Sequence, residues 1–389
     1  MRRKTVRRRR NNRSPRWALW VLVFGVVLTV GGAGGAVGLK MTVAAATSSV
    51  TKESLLGSDS ATDEQRADAD LDGAKNILLV GIDQRPDQIN GEALRSDTII
   101  LVHINADHDS GYLISLPRDS YVEIPAYDNG AQSFAGGKNK INAAFAFGTR
   151  GLTGTNALTH GFELLTKTVK NLTGITPDAG AIIDFEGFKD IVNTLGKVCM
   201  YVDEKTTSIH IGTDANGDRA KPYVINKDGT LNRKIAGVTP NIYTKGDHCF
   251  TPTEALDFVR QRDLLENGDF DYGRQRHQQQ FFKAIINQAV KDGLDSPTKL
   301  PGLISAFGKT MTVDDGGIDM ADWALAMATV KPDDLVTIKT NAGTFNSESI
   351  PGIGSVELLS DDSLKLLQAV KDDKVANFLL DHPAFVSAT

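Results

Sequence analysis

Residues 17–39 form an uncharged, apolar stretch that constrains this chain more than any other feature of its sequence. Its twenty-three residues would span roughly 35 Å as a helix, which is enough to cross the hydrocarbon core of a bilayer. The preceding residues 1–16 contain nine Lys or Arg and no acid, and positive flanks stay in the cytoplasm. We therefore expect a basic cytoplasmic arm, one transmembrane helix and an extracellular body. A cleaved signal peptide, processed near Ala44-x-Ala46, is the alternative, and it also exports the body.

The exported part of the chain is acidic. The formal net charge is −5 for the whole chain, so without the nine basic residues of the arm the remaining residues carry −14. Nucleic-acid-binding surfaces are basic, so bulk binding of DNA or RNA by this body is excluded as a function.

The pattern of apolar residues predicts an α/β body behind a linker. Residues 40–75 are rich in Ala, Ser, Thr and Asp and indicate an extracellular linker, followed by a main domain over 76–290 and a C-terminal extension, 291–389, packed on it. Strands are predicted near 76–82, 97–104, 112–116, 179–185, 197–203 and 334–340. Helices are predicted near 141–148, 156–172, 185–195, 252–261 and 274–291. This interleaving favours a mixed, largely antiparallel sheet with helices on both faces, and the polar residues 204–250 suggest a long surface excursion.

The two cysteines of the chain are Cys199 and Cys249. Because an exported domain lies in a compartment that permits disulfides, we expect them to pair, with two buried free thiols as the alternative. A zinc site at either cysteine is not expected, since neither has a second ligand at a typical spacing.

Arginines mark the candidate site. Only ten occur from Asn76 onwards, and seven of them lie in short clusters at predicted strand ends or helix starts, several beside an aspartate. Guanidinium groups match phosphate oxygens with paired hydrogen bonds, whereas carboxylates repel phosphate unless a cation lies between them. Asp83 and Asp97 would therefore hold Mg²⁺, with Mn²⁺ possible, against a phosphate or pyrophosphate. The alternative is that these Arg–Asp neighbours are solvent-facing ion pairs.

Six motifs, in order, resemble those of the LytR-CpsA-Psr (LCP) family. They are NILLVGIDQR, RSDTIILVHIN, ISLPRDSYVEIP, NKINAAFAFG, ALDFVRQRD and DYGRQRHQQQF, and they span about residues 76–290. The resemblance implies an LCP-type α/β/α catalytic domain, anchored in the membrane, that transfers a glycopolymer from a polyprenyl-pyrophosphate carrier to peptidoglycan through a phosphodiester link.

The same resemblance implies roles for individual residues. Asp83 and Asp97 would hold the metal and the pyrophosphate, and the predicted catalytic residues are Asp97, Arg95, Arg118, Arg260 and Arg262. Pyrophosphate binding is expected from Asp83, Arg95, Arg118, Lys140, Arg260, Arg262, Arg274 and Gln278. One departure stands out: many members carry an arginine three residues beyond the Arg274 position, where this chain has His277. We therefore leave His277 and its neighbour Arg276 out of the predicted site.

Two rival functions remain open at this stage. Hydrolysis of the lipid carrier would use the same residues with water as the nucleophile. A non-catalytic receptor for prenyl phosphates or wall polymers is the second rival, although such a receptor gains nothing from the paired acids Asp83 and Asp97.

Overall fold

The computed structural model describes residues 50–57, 69–84, 94–226, 231–295, 305, 308–319, 322–323, 330–331 and 334–387. Its strands are β1 (Thr51–Lys52), β2 (Lys75–Ile82), β3 (Ser96–Ile104), β4 (Gly111–Ser115), β5 (Tyr121–Ile124), β6 (Tyr127–Asp128), β7 (Ser133–Phe134), β8 (Gly137–Lys140), β9 (Ala179–Ile183), β10 (Val198–Val202), β11 (Thr206–Thr213), β12 (Arg219–Ala220), β13 (Tyr223–Ile225), β14 (Leu231–Lys234), β15 (Thr239–Tyr243), β16 (Gly246–Phe250), β17 (Met311–Asp314), β18 (Leu335–Lys339), β19 (Ser347–Ile350) and β20 (Gly354–Glu357). Its α-helices are α1 (Ile141–Gly148), α2 (Gly154–Thr173), α3 (Phe185–Thr194), α4 (Pro252–Phe258), α5 (Phe270–Asp295), α6 (Asp361–Lys371) and α7 (Val375–Asp381). Short 3-10 helices occupy Thr340–Gly343 and Pro383–Phe385.

A seven-stranded sheet in the order β1-β17-β9-β2-β3-β4-β18 forms the centre of the fold. Its middle is an antiparallel meander of β2, β3 and β4, while β9 joins β2 and β18 joins β4 in parallel. The predicted mixed sheet is therefore confirmed. The transmembrane helix predicted for residues 17–39 lies outside the described residues, and within them no helix is both long enough and apolar enough to cross a bilayer.

Alternation along β3 explains why helices cover both faces of this sheet. Ile99 and Leu101 point into the large core that contains Phe145 of α1 and Phe162 of α2. Ile100 and Val102 point the other way, into a cluster against which Phe282 of α5 packs. Because successive side chains of a strand face opposite sides, a continuous apolar run is what a strand between two helical layers requires.

Helix α5 is fixed to the sheet by one buried amide. Gln279 Nε2 lies 3.0 Å from the Leu113 carbonyl oxygen, 2.9 Å from Ser115 Oγ and 2.8 Å from the Ile338 carbonyl oxygen. The side chain is only 1% exposed. It therefore ties α5 to β4 and β18 and sets which residues of the helix face the sheet edge.

Two boundaries differ from the prediction. Residues 51–52, assigned to the linker, form the outer strand beside β17. The strands β17 and β18, assigned to the C-terminal extension, both belong to the central sheet. Each of these segments satisfies backbone groups that an edge strand would otherwise leave unpaired. The C-terminal residues are thus an integral part of the fold and not a layer added to it.

The predicted surface excursion at 204–250 is built of short strands. It contains the three-stranded sheet β12-β11-β15 and the hairpin of β13 and β14, and β16 pairs with β10. Cys199 and Cys249, which were predicted to pair, face each other across β10 and β16 and are joined by a disulfide.

The Gln279 anchor can be tested by substitution. Gln279→Ala should lower the free energy of unfolding of the full chain by about 2 kcal/mol, because the carbonyls of Leu113 and Ile338 and the hydroxyl of Ser115 lose their buried donor. Gln288→Ala on the same helix removes only an intrahelical contact with Asp292 and should stay within about 0.5 kcal/mol of wild type. Denaturant unfolding measures both values, and equal stability of the two variants would contradict the role given to Gln279.

Candidate functional site

The predicted site residues lie at one end of the central strands, which we call the sheet edge. β2 and β4 end there and β3 begins there, because Ile82 pairs with Ser96 and Ser115 pairs with Ile100. Asp83 and Asp97 therefore lie at neighbouring strand ends, and Arg118 follows β4 after a short turn. The sheet brings residues together that are far apart in the sequence.

Arg118 lies at the centre of this edge. Its Nη1 donates to Asp97 Oδ1 at 2.9 Å, and its Nε lies 3.5 Å from Asp119 Oδ2. The turn that carries Arg118 is held by the start of α1, where the Asn142 amide donates to the Arg118 carbonyl at 3.1 Å. Lys140, the residue before α1, reaches the same turn through its Nζ, 2.9 Å from Asp119 Oδ1. Four charged side chains thus meet within one hydrogen-bonded group.

The first turns of α5 bring a second guanidinium group to Arg118. Arg274 Nη2 lies 2.7 Å from Asp271 Oδ1 and donates to the Asp97 carbonyl oxygen at 3.3 Å. Asp271 Oδ1 is also 3.9 Å from Arg118 Nε, so one carboxylate lies between two arginines. Asp271 was missed by the sequence analysis, although its i,i+3 spacing to Arg274 on a predicted helix start was available as a signal.

The pKa values show how this group is balanced. Burial raises the pKa of Asp271, but Arg274 and Arg118 lower it more, so the carboxyl is ionised with a pKa below its usual range. Burial and the Arg118 charge lower the pKa of Arg274, against the opposing effect of Asp271. Burial also lowers the pKa of Arg118, but Asp97, Asp271 and Asp119 raise it above its ordinary value. Both guanidinium groups therefore stay charged.

Two buried donors in this group have no hydrogen-bond partner among the described residues. They are Nε of Arg118 and Nε of Arg274, and both side chains line the same narrow cleft, which in this structure does not admit a water molecule. Asp97, Leu116 and Gln278 also line it. A buried N–H without an acceptor costs free energy, so a pair of them in one cleft indicates a place for an anion.

The remaining predicted arginines lie beside the cleft. The guanidinium carbon of Arg260 is 4.3 Å from the centroid of the Phe185 ring, which opens α3 at the same sheet edge. Arg262 Nε lies 3.5 Å from Asp263 Oδ2, and the Arg262 charge helps to lower the pKa of Asp271. Both arginines follow α4, which ends at Phe258 and not at the predicted residue 261.

Buried Gln261 fixes this segment. Its amide contacts Asp257, and its Oε1 accepts from the Ile209 amide at 3.0 Å. The two arginines on either side of Gln261 are thereby held at the sheet edge.

Three further predicted residues are placed as follows. Gln278 lines the cleft and donates to the Val259 carbonyl at 3.2 Å. Asp83 is partly buried at the end of β2, and Arg95 is exposed before β3. Arg85, one of the clustered arginines, lies outside the described residues.

Asp83 and Asp97 together offer only carboxylate oxygens, which is the donor chemistry that Mg²⁺ prefers, so the residues present fit the predicted ion. Asp97 already accepts from Arg118, which orients its carboxylate.

Arg276 and His277 face away from the cleft. Arg276 contacts Asp203, Glu204 and Asp269, and the fully buried His277 stacks on Phe258 with ring centroids 4.4 Å apart. Neither residue lines the cleft described above, and their exclusion from the pyrophosphate site stays a prediction.

Asp271→Asn tests the balance within the site. At pH 7 the variant should be less stable than wild type by about 2–3 kcal/mol, because the guanidinium groups of Arg118 and Arg274 lose their shared carboxylate. The pKa of Asp271 is lower in the folded state than the unfolded value of about 3.9, so this stabilisation is present above about pH 4. It should be lost as the pH falls through the folded-state pKa.

Unfolding free energies measured from pH 7 to pH 3 check the prediction. The difference between wild type and Asp271→Asn should shrink at the acidic end. Asp362→Asn, which removes an exposed and solvent-screened contact with Lys365, should change stability far less than Asp271→Asn does at pH 7. A constant difference for Asp271→Asn over the whole range would contradict an ionised, paired carboxylate.

Comparison with known proteins agrees with the geometry. The chain is 26% identical over 306 residues to the cell wall biosynthesis protein LcpA of Corynebacterium glutamicum, covering 73% of this chain and 52% of LcpA. It is 27% identical over 256 residues to the polyisoprenyl-teichoic acid–peptidoglycan teichoic acid transferase TagU of Bacillus licheniformis, covering 65% of each. This chain thus spans about half of LcpA and 65% of TagU.

A solved structure shares the fold. Protein gbs0355 of Streptococcus agalactiae superimposes with a TM-score of 0.56 at 22% identity, covering 78% of this chain and 88% of that one. The model of the LytR_cpsA_psr family matches residues 39–370, which is most of the chain. The chain belongs to the LytR-CpsA-Psr family.

Proposed function

We propose that this protein is a phosphotransferase that attaches a cell-wall glycopolymer to peptidoglycan. The proposed donor is a glycopolymer on a polyprenyl-pyrophosphate carrier, and the product is a phosphodiester. Family membership supports this proposal, as does the similarity to TagU, which is named as a polyisoprenyl-teichoic acid–peptidoglycan teichoic acid transferase. The identity of the polymer is left at the class of anionic or secondary wall glycopolymers.

The observation that carries the proposal is the pair of buried, unpartnered Nε–H groups of Arg118 and Arg274 in one cleft. Pyrophosphate offers several charged oxygens, and guanidinium groups can donate two hydrogen bonds to each of them. Lys140 brings a further positive charge to this end of the sheet, where it pairs with Asp119, the carboxylate that also lies beside Arg118. Gln278 places an amide on the wall of the cleft. The arginine charges are already paired with Asp97, Asp119 and Asp271, so the argument for an anion rests on the two Nε–H donors that lack an acceptor.

The proposed reaction forms one bond and breaks one. A hydroxyl oxygen of the peptidoglycan acceptor attacks the phosphorus nearest the glycopolymer, and the bond from that phosphorus to the bridging oxygen breaks. Polyprenyl phosphate leaves with the bridging oxygen, and the hydroxyl proton passes to solvent or to a base. Arg118 and Arg274 stabilise charge on the transferring and leaving groups, so catalysis rests on positioning and electrostatics.

Asp83 and Asp97 would hold Mg²⁺, which would neutralise further charge on the phosphate oxygens when it is bound. The carboxylate of Asp97 also positions Arg118, because it accepts the 2.9 Å hydrogen bond from Nη1. Arg262, whose charge acts on both Asp271 and Arg274, and Arg260, two residues earlier, would contact the outer phosphate oxygens.

The predicted membrane segment supplies the location in this proposal. Residues 17–39 would anchor the chain with its basic arm in the cytoplasm, and the catalytic domain would then face the peptidoglycan outside. A membrane anchor also keeps the site close to a donor whose polyprenyl chain is embedded in the bilayer.

Transfer can be assayed with the full chain in detergent, a polyprenyl-pyrophosphate-linked sugar, peptidoglycan and Mg²⁺. The double variant Arg260→Ala with Arg262→Ala should lose transfer by roughly 100-fold or more, since two donors to the phosphates are removed. Arg150→Ala is the matched control: Arg150 also stacks on a phenylalanine, 4.2 Å from the Phe147 centroid, but it lies on the turn after α1. It should retain wild-type activity.

Product analysis separates this proposal from its rivals. A sugar–phosphate–peptidoglycan conjugate is the expected product. Release of a free sugar phosphate with no conjugate would identify a hydrolase, and ligand binding without any product would identify a receptor. Full turnover by the double arginine variant would also contradict the assignment.

A further inference from the structure

A second cluster of charged side chains lies on the face of α5 that points away from the cleft. We call it the α5–β10 cluster, and its members are Asp203, Glu204, Asp269, Arg276 and His277. Asp203 and Glu204 belong to the turn between β10 and β11, and the other three belong to α5 or the segment just before it. None of these side chains has a role in the proposed transfer reaction.

His277 is the unusual member of this cluster. It is 0% exposed, and neither ring nitrogen has a hydrogen-bond partner among the described residues. Its Nε2 lies between two carboxylates, 3.5 Å from Asp203 Oδ1 and 3.4 Å from Glu204 Oε1. These separations exceed the usual 2.7–3.2 Å of an N–H···O hydrogen bond. A buried imidazole that lies near two acceptors without bonding to either calls for another group between them.

The separations match the spacing of ligands around a metal ion. Zn²⁺ binds imidazole nitrogen at about 2.0–2.1 Å and carboxylate oxygen at about 2.0–2.2 Å, usually with tetrahedral geometry. Two ligands of such a tetrahedron lie about 3.4 Å apart, by geometry from these bond lengths. The three donor atoms of Asp203, Glu204 and His277 all lie within 4.8 Å of one another. One ion can therefore contact all three after only small side-chain shifts.

Charge in the cluster also favours a divalent cation. Asp203, Glu204 and Asp269 are three carboxylates, and Arg276, which contacts all of them, is one cation. Three carboxylates against one guanidinium leave an excess of negative charge beside His277, and a divalent cation would offset it.

Neighbouring groups hold the carboxylates in place. Arg276 Nε donates to Asp203 Oδ2 at 2.7 Å and leaves Oδ1, which is buried and without a hydrogen-bond partner, on the side of His277. Glu204 Oε2 accepts from the Asn267 amide at 2.8 Å, so its Oε1 is turned toward the histidine. Glu204 Oε1 also contacts Arg276 Nη2, which its second lone pair permits. Such outer hydrogen bonds orient metal-ligating carboxylates in proteins.

We propose that Asp203, Glu204 and His277 form a binding site for a divalent transition-metal ion, and that Zn²⁺ is the ion it takes. One imidazole and two carboxylates suit Zn²⁺, whereas Mg²⁺ and Ca²⁺ are held by oxygen ligands. The site is separate from the pair Asp83 and Asp97. The ion links the β10–β11 turn to α5, the helix that carries Arg274 and Gln278 on its other face, and so stabilises the helix that builds the cleft.

Zn²⁺ binding to the full chain tests this proposal. The protein, purified in detergent, is stripped with EDTA, dialysed and titrated with Zn²⁺ by calorimetry, and the bound zinc is counted by elemental analysis after gel filtration. Wild type should bind one Zn²⁺ per chain, and millimolar Mg²⁺ should not displace it. His277→Gln and Asp203→Asn should each weaken this binding at least 100-fold.

Two further measurements complete the test. His248→Gln is the matched control, because His248 bonds to the Thr244 carbonyl outside the cluster, and it should bind zinc as wild type does. Zn²⁺ should raise the melting temperature of wild type and of His248→Gln by several degrees, but not that of His277→Gln.

The His277→Gln chain keeps Asp83 and Asp97, so binding of one zinc by this variant would place the ion elsewhere and overturn the proposal. Failure of the wild-type chain to bind zinc would overturn it as well, and would identify the cluster as an ion-pair network with a protonated histidine. Neither result bears on glycopolymer transfer, which is assayed separately.

Discussion

The repulsion between the partly buried guanidinium group of Arg118 and the buried one of Arg274 is the constraint on which this site depends. Arg118 and Arg274 line one cleft, and the charge of Arg118 lowers the pKa of Arg274 because like charges repel each other in a region of low dielectric. The Asp271 carboxylate, 2.7 Å from Arg274 and 3.9 Å from Arg118, offsets that repulsion and keeps both cations in place. It leaves one Nε–H on each arginine without a partner, so the site is stable when folded yet still has donors for an anion. Stability and binding thus depend on the same group of side chains, in which Asp97 and Asp119 also pair with Arg118.

Helix α5 connects the sheet to this site. Gln279 fixes its position on β4 and β18, Arg274 and Gln278 reach the cleft one helical turn apart, and Arg276 and His277 point to the opposite side. The helix therefore serves three surfaces with a few consecutive residues, because each step along a helix turns the side chain by about 100°. This spacing explains why a run rich in arginine and glutamine occurs at its start. Polar residues that are consecutive in the sequence therefore face different parts of the structure and make different contacts.

Much of this arrangement could be predicted from the sequence, and the failures have physical causes. Apolar runs in β2, β3 and β4 predicted the strands because a strand covered on both faces needs continuous hydrophobicity. The short strands β1 and β17 were missed, since their place in the sheet is set by pairing with distant residues and not by their own pattern. The arginine clusters predicted that Arg118 and Arg274 belong to one site, and both line one cleft, but Asp271 was overlooked because a carboxylate is not expected beside a phosphate unless neighbouring cations require it. The role of His277 depends on Asp203 and Glu204, more than seventy positions earlier, which no local motif reveals.

The central claim is that guanidinium groups from separate parts of the chain form one pyrophosphate pocket. Its most direct test is a crystal structure of the protein with a short-chain prenyl diphosphate and Mg²⁺. The account predicts diphosphate density in the cleft, with phosphate oxygens within hydrogen-bond distance of Nε of Arg118 and Nε of Arg274, and the metal between the ligand and the Asp83 and Asp97 carboxylates. Diphosphate bound at another surface, with both Nε–H groups still lacking an acceptor, would contradict it.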